Sequence, residues 1–167
     1  MKPLEPPDSH YLAAAEGWLG LKNWREAGEE LRRIDPALSE HPAVLLVQYE
    51  IHAAASQWEL AAETAATLAE TAPDEPGAWT ALAYATRRKP GGGIPPAKEI
   101  LAAAQRRFPS EPLIAYNLAC YECQLGNLAQ ARTWLGKAFE LGDSTRLKRQ
   151  SLQDPDLGPL HDEIEGM

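Results

Sequence analysis

Small and large apolar residues return along the chain at a fixed step. Ala27, Ala61, Ala97 and Ala131 stand 34, 36 and 34 residues apart, and Trp24, Trp58, Ile94 and Leu128 keep the same steps three residues earlier. Tyr11, Leu45, Trp79 and Ala115 share one register, with Ala15, Tyr49, Ala83 and Ala119 four residues on. After the alanines, Leu31, Ala65, Leu101 and Leu135 follow at four residues, and Ile34, Leu68, Ala104 and Ala138 at three more. Spacings of three and four put these positions on one helix face, where strand alternation would need a period of two. A repeat of about 34 residues built this way predicts stacked helix-turn-helix units, each burying its apolar face against its neighbours.

Pro42, Pro76 and Pro112 mark the same phase independently. A proline opens a helix at little cost because the amide it lacks has no intrahelical partner there. Asp35-Pro36, Ala72-Pro73 and Phe108-Pro109 stop the helices upstream. The pattern predicts four helix pairs, 9–21 with 24–34, 42–55 with 58–71, 76–88 with 95–107 and 111–124 with 127–141, then one or two short helices. Ser9 and Ser144 are the expected N-caps of the first helix and of the tail. The expected organisation is an N-terminal extension at 1–8, four units at 9–38, 42–73, 76–109 and 111–143, and a capping segment at 144–167.

Ala115-Tyr116-Asn117-Leu118-Ala119, Gly126-Asn127-Leu128, Ala131, Leu135 and Ala138 in the fourth unit, and Trp79, Leu82, Ala83, Ala97, Leu101, Ala104 and Pro109 in the third, resemble the tetratricopeptide repeat family. The first two units depart from its pattern, with Lys22-Asn23-Trp24 and Ser56-Gln57-Trp58 at the turns, Gln48 where Leu is usual and Ser39 where Pro is usual. The resemblance covers residues 9–143 and implies an all-α fold, an α-solenoid in which four helix pairs form a right-handed superhelix with a C-terminal helical cap. Leu152-Gln153-Asp154-Pro155-Asp156-Leu157-Gly158-Pro159-Leu160 is similar to the ending that follows the last repeat in many bacterial members. That ending implies a cap, with Leu147, Leu152, Leu157, Leu160 and Ile164 over the open apolar face of the last repeat.

The resemblance also implies a concave groove lined by the first helix of each pair. Matched by register, it selects Leu12, Glu16 and Leu19; Leu46, Glu50 and Ala53; Thr80, Tyr84, Arg87 and Arg88; and Tyr116, Cys120, Cys123 and Gln124. Its wall would run from acidic and apolar to basic and aromatic. Family members that hold chaperone carboxylate tails use Lys and Asn where this chain has Leu12 and Glu16, which disfavours that ligand. The implied function is a non-catalytic adaptor that binds a peptide or protein segment, with a secretion-type chaperone for a translocator or effector subunit as the alternative.

A net charge of -8 with a pI near 5.0 argues against nucleic-acid binding, which needs clustered cations to displace counterions. The local run Arg87-Arg88-Lys89 falls at a helix C-terminus, where the dipole favours cations. The polar start carries three prolines and no apolar signal core, and no run of about 18 apolar residues follows, which predicts a cytoplasmic protein with no membrane partner. Cys120 and Cys123 share a helix face, yet no second cysteine pair or histidine spacing completes a zinc site, so no metal and no cofactor is expected. An enzyme or redox protein using them is the least favoured class, since no hydrolase, zincin or nucleotide motif occurs. Pro90 to Pro96 holds the two residues that lengthen the period, and its prolines remove amides a phosphate nest would need, so it is expected as a surface insertion. A homodimer stays open.

Overall fold

The computed structural model describes residues 3–164 and residue 166. Residues 1, 2, 165 and 167, at the ends of the expected N-terminal extension and C-terminal cap, lie outside the described residues. Among the described residues there is no strand. The order is α1 (Asp8–Gly20), α2 (Trp24–Leu31), a 3₁₀ turn (Pro36–Leu38), α3 (Pro42–Ala54), α4 (Trp58–Thr71), α5 (Pro76–Arg88), α6 (Ile94–Arg107), α7 (Pro112–Gln124), α8 (Leu128–Leu141), α9 (Ser144–Ser151), a 3₁₀ segment (Pro155–Leu160) and α10 (His161–Ile164). The chain forms two compact units, Met1–Gly93 and Ile94–Met167.

The punctuation read from the sequence sets the helix starts. Pro42, Pro76 and Pro112 are the first residues of α3, α5 and α7. The two serine caps are corrected. The first helix opens at Asp8, which puts Ser9 inside its first turn, and Asp8 Oδ1 accepts from the Asp35 amide at 2.9 Å instead of capping locally. Asp143 caps α9, its Oδ1 accepting from the Arg146 amide at 3.0 Å, one residue before Ser144. A carboxylate accepts a backbone N–H more strongly than a hydroxyl does, so at α9 the adjacent Asp143 takes the role, while α1 has no side-chain cap.

In the first unit α1 packs with α2 and α3 with α4, and α5 lies against both α3 and α4. One core gathers Leu12, Ala15, Ala27, Ile34, Val44, Val47 and Ile51 under Tyr11, Trp18 and Leu31. Another joins Leu45, Leu68, Ala69, Ala72 and Ala78 to Trp79, whose indole N–H donates to the Pro73 carbonyl at 3.0 Å. A third sets Ala61, Ala62 and Ala85 beneath Tyr49 and Trp58. All four phased alanines are 0 % exposed, as a methyl at a closest backbone approach must be.

The turns show what the departures from the repeat pattern cost. Lys22 and Ser56 hold φ of 59° and 57°, the left-handed conformation that Gly126 takes at 80° in the fourth unit. A side chain there costs about 1 kcal/mol that glycine avoids. The Pro-Gly loop is less slack than a simple insertion. Gly92 and Gly93 donate to the Lys89 and Thr86 carbonyls, and a Cβ on Gly92 would sit 1.9 Å from the Thr86 oxygen. These bonds close the C-terminal end of α5, and the unit boundary follows at Ile94.

In the second unit α7 packs with α8 and against α6, and the Pro155–Leu160 segment lies on α7 with α10 beside it. Leu157, Leu160 and Ile164 are fully buried, and Leu147 nearly so. Leu152 is the exception among the expected cap residues: it is 37 % exposed at the C-cap of α9.

Candidate functional site

The groove-register positions separate into two settings. In the first unit they stand on α1, α3 and α5, with α3 in contact with both of the others. Leu12 belongs to the core at 8 % exposure and offers almost no surface. Glu16 and Glu50 are exposed, and so are Leu46 at 43 % and Tyr84 at 41 %. Thr80, Arg87 and Arg88 are half-buried. Although Glu50 is open on one side, partial desolvation by its neighbours, and after it the nearby Glu16 charge, raises its carboxyl above the ordinary value, so two carboxylates from adjacent helices share one neighbourhood. Leu46 also lines an apolar hollow of about 250 Å³ with Pro42, Ala43, Leu68, Ala72 and Ala78.

On α5, Arg88 and Tyr84 stand one helical turn apart and build a cationic aromatic cluster. The guanidinium lies 3.4 Å from the Tyr84 ring centroid and 5.4 Å from that of Trp58. The two rings meet edge to face at 5.9 Å. Stacking holds the guanidinium plane while leaving its edge able to donate. Trp58 belongs to the second helix of its pair and was missed as a site residue. The packing column to which its period assigns it carried no sign that its ring would reach Tyr84.

In the second unit the register positions on α7 are covered by the chain itself. The Tyr116 hydroxyl donates to Asp154 Oδ2 at 2.9 Å, the Cys120 thiol approaches the same oxygen at 3.6 Å, and the Gln124 amide donates to the Asp156 carbonyl at 3.0 Å. Tyr116, Cys120 and Cys123 are buried, while Gln124 stays exposed. Burial first, then Cys120 and Asp154, keeps the Tyr116 phenol protonated well beyond the ordinary tyrosine range, which makes it a fixed donor to the carboxylate. Burial followed by the Asp156 and Asp154 charges pushes the Cys123 thiol up, the opposite of what a nucleophile needs. Asp154 and Asp156 were not among the sequence candidates, since nothing in a 34-residue period links them to a helix 38 positions upstream.

Beside the α7–α8 turn, Glu122 is buried and accepts from Lys98 Nζ at 2.7 Å and from the Asn127 amide at 2.8 Å. Burial is the largest influence and opposes its charge, yet the Lys98 and Asn127 bonds and the Lys98 charge together hold its carboxyl below the ordinary value. This pair ties α6 to the turn. Among the described residues no group of three or more His, Cys, Asp or Glu side chains gathers as a metal site. No described helix is long and apolar enough to cross a membrane.

No protein-family model matches this chain. No curated protein matches it either. Solved structures do. The thermophilic TPR protein TTC0263 of Thermus thermophilus superposes with a TM-score of 0.73 at 19 % identity, covering 94 % of this chain and 82 % of its own. The ArsTM double mutant of MamA RS-1 gives 0.69 at 15 % identity, over 85 % and 79 % of the two chains. MamA MSR-1 C2 gives 0.64 at 19 % identity, over 83 % and 78 %. At these identities the likeness is one of fold, and the all-helical, helix-pair repeat fold of this chain is the fold of a tetratricopeptide repeat protein.

Proposed function

We propose that this protein is a non-catalytic scaffold that binds a peptide or protein segment on the face formed by α1, α3 and α5. The observation that carries it is the contrast between the two settings of one register. The α7 positions are occupied by residues 154–160 of the same chain, whereas Leu46, Glu50 and Tyr84 stand exposed. Displacing the segment from α7 would uncover Leu157 and Leu160, at about 1.5–3 kcal/mol for each side chain. A ligand therefore meets the α1–α3–α5 face first. That face combines exposed apolar surface with fixed charges of both signs, Glu16 and Glu50 on α1 and α3 and Arg88 on α5, a composition suited to an extended segment with opposite charges at its two ends. The helix-pair repeat fold supports a binding role in general, because stacked helix pairs expose long continuous faces.

The test uses a photoreactive amino acid placed at Leu46 or Tyr84 in the full chain, with Glu63 on α4 as the control. Crosslinks to the same partner from positions 46 and 84, and none from 63, are expected. Charge reversal at Glu16 and Glu50, or at Arg88, should remove them while circular dichroism stays unchanged. Equal crosslinking from all three positions would rule the face out.

A further inference from the structure

The segment that closes α7 also shows what chemistry this register accepts. In Asp154-Pro155-Asp156 the first carboxylate has two tasks. Its Oδ1 accepts from the Asp156 amide at 3.0 Å and so closes its own turn, while Oδ2 faces α7 and accepts from Tyr116 and Cys120. Pro155 has no N–H to leave unsatisfied in the turn. The Asp156 carbonyl then takes the Gln124 amide. On the α7 side, these three bonds are all made by donors.

Helix α5 repeats that donor array 36 residues earlier, from the same N1 proline. Tyr116, Cys120 and Gln124 become Thr80, Tyr84 and Arg88. The Thr80 hydroxyl is spent on the Gly77 carbonyl at 2.9 Å, so the donors that remain are Tyr84 and Arg88, and the last has changed from a neutral amide to a cation. Arg88 forms no ion pair among the described residues; its partners are the Tyr84 and Trp58 rings and, at 3.4 Å, the Tyr84 carbonyl. Tyr84 is exposed where its counterpart Cys120 is covered.

We infer that α5 docks an acidic, proline-containing turn of a partner protein in the register that Asp154-Pro155-Asp156 takes on α7, with Tyr84, at the Cys120 position, donating to its first carboxylate and Arg88, at the Gln124 position, meeting its second acidic residue. This rests on the α1–α3–α5 face being the binding surface and assigns the ligand chemistry of its α5 side. The Gln124 amide reaches only the Asp156 main-chain carbonyl, whereas a guanidinium at the same position can also pair with the adjacent carboxylate, so α5 favours an acidic residue where α7 needs none.

The probe is a fluorescent peptide of residues 152–160, blocked at both ends, titrated into the full chain by anisotropy. Saturable binding is expected, weakened about tenfold by Arg88→Glu and by replacing both peptide aspartates with asparagine, and unchanged by Tyr116→Phe. The peptide substitution keeps the test independent of how any protein variant folds. Binding that ignores Arg88→Glu but responds to Tyr116→Phe would mean exchange with the bound segment on α7 and would overturn the inference. It is also overturned if the acidic peptide fails to bind. In that case binding of a peptide with lysine at both aspartate positions, sensitive to Glu16→Lys and Glu50→Lys, would leave the face in use with the opposite ligand preference.

Discussion

Ala61 and Ala131 set a limit on side-chain size that no neighbour can relax. Each is completely buried on a packed helix, so three added carbons must displace its neighbours or enter a disfavoured rotamer. Ala61→Leu and Ala131→Leu should each lower stability by about 1–3 kcal/mol, read from urea denaturation midpoints at unchanged slope. Glu50 responds in the opposite sense. Its carboxyl is raised from 4.5, by burial first and then by Glu16, so the folded state holds that proton more tightly than the unfolded chain. The charged form therefore opposes folding above the raised value, and this opposition disappears below the unfolded value. Glu50→Gln should give a slightly higher Tm near pH 7, with the two proteins converging as pH falls to about 4. A difference that persists or grows on acidification would contradict this. If the face binds a partner, the same substitution weakens binding, which explains why an unfavourable charge is kept there.

At the scale of elements, the C-terminal segment contributes through a few large side chains. Leu157 and Leu160 are fully buried on the second unit, and each truncation to alanine should cost about 2–5 kcal/mol, whereas Leu152→Ala should stay within about 0.5 kcal/mol. Thermal melts of the three variants separate covering leucines from the exposed one. The helices themselves were legible because their signals are local. Proline at N1, a phased alanine and a left-handed turn residue act within a few positions of the chain. The caps were legible only in part: at α9 Asp143 reaches the free amide one residue before Ser144, and at α1 the helix begins at Asp8, before Ser9, with no side-chain cap. Leu152 was misjudged for a related reason: it matches its neighbours in hydrophobicity, and only the end of α9 decides which way it points.

Over the whole molecule, the two cysteines report on the second unit. Both are buried beneath residues 154–160, and the Cys123 thiol is held protonated by burial and by Asp156 and Asp154. Alkylation of the native protein should run on the order of 10³-fold more slowly than in denaturant and should follow the opening of this unit. Fast modification of the folded chain would show that the segment leaves α7 readily, and would remove the ground for placing the binding face on α1, α3 and α5. By itself the sequence determined the helices, their phase and the alanine column, because those features depend on residues three, four and about 34 positions apart within a regular repeat. Only the tertiary structure decided which register positions are open. A side chain's exposure depends on what arrives from elsewhere in the chain: Asp154 reaches Tyr116 across 38 residues, and Trp58 packs its ring against Tyr84. The ending marked the tail as a cover for the last repeat, but no spacing showed that Asp154 and Asp156 would take up the register positions of α7, and with α7 covered, the exposed part of the register in the first unit is on α1, α3 and α5.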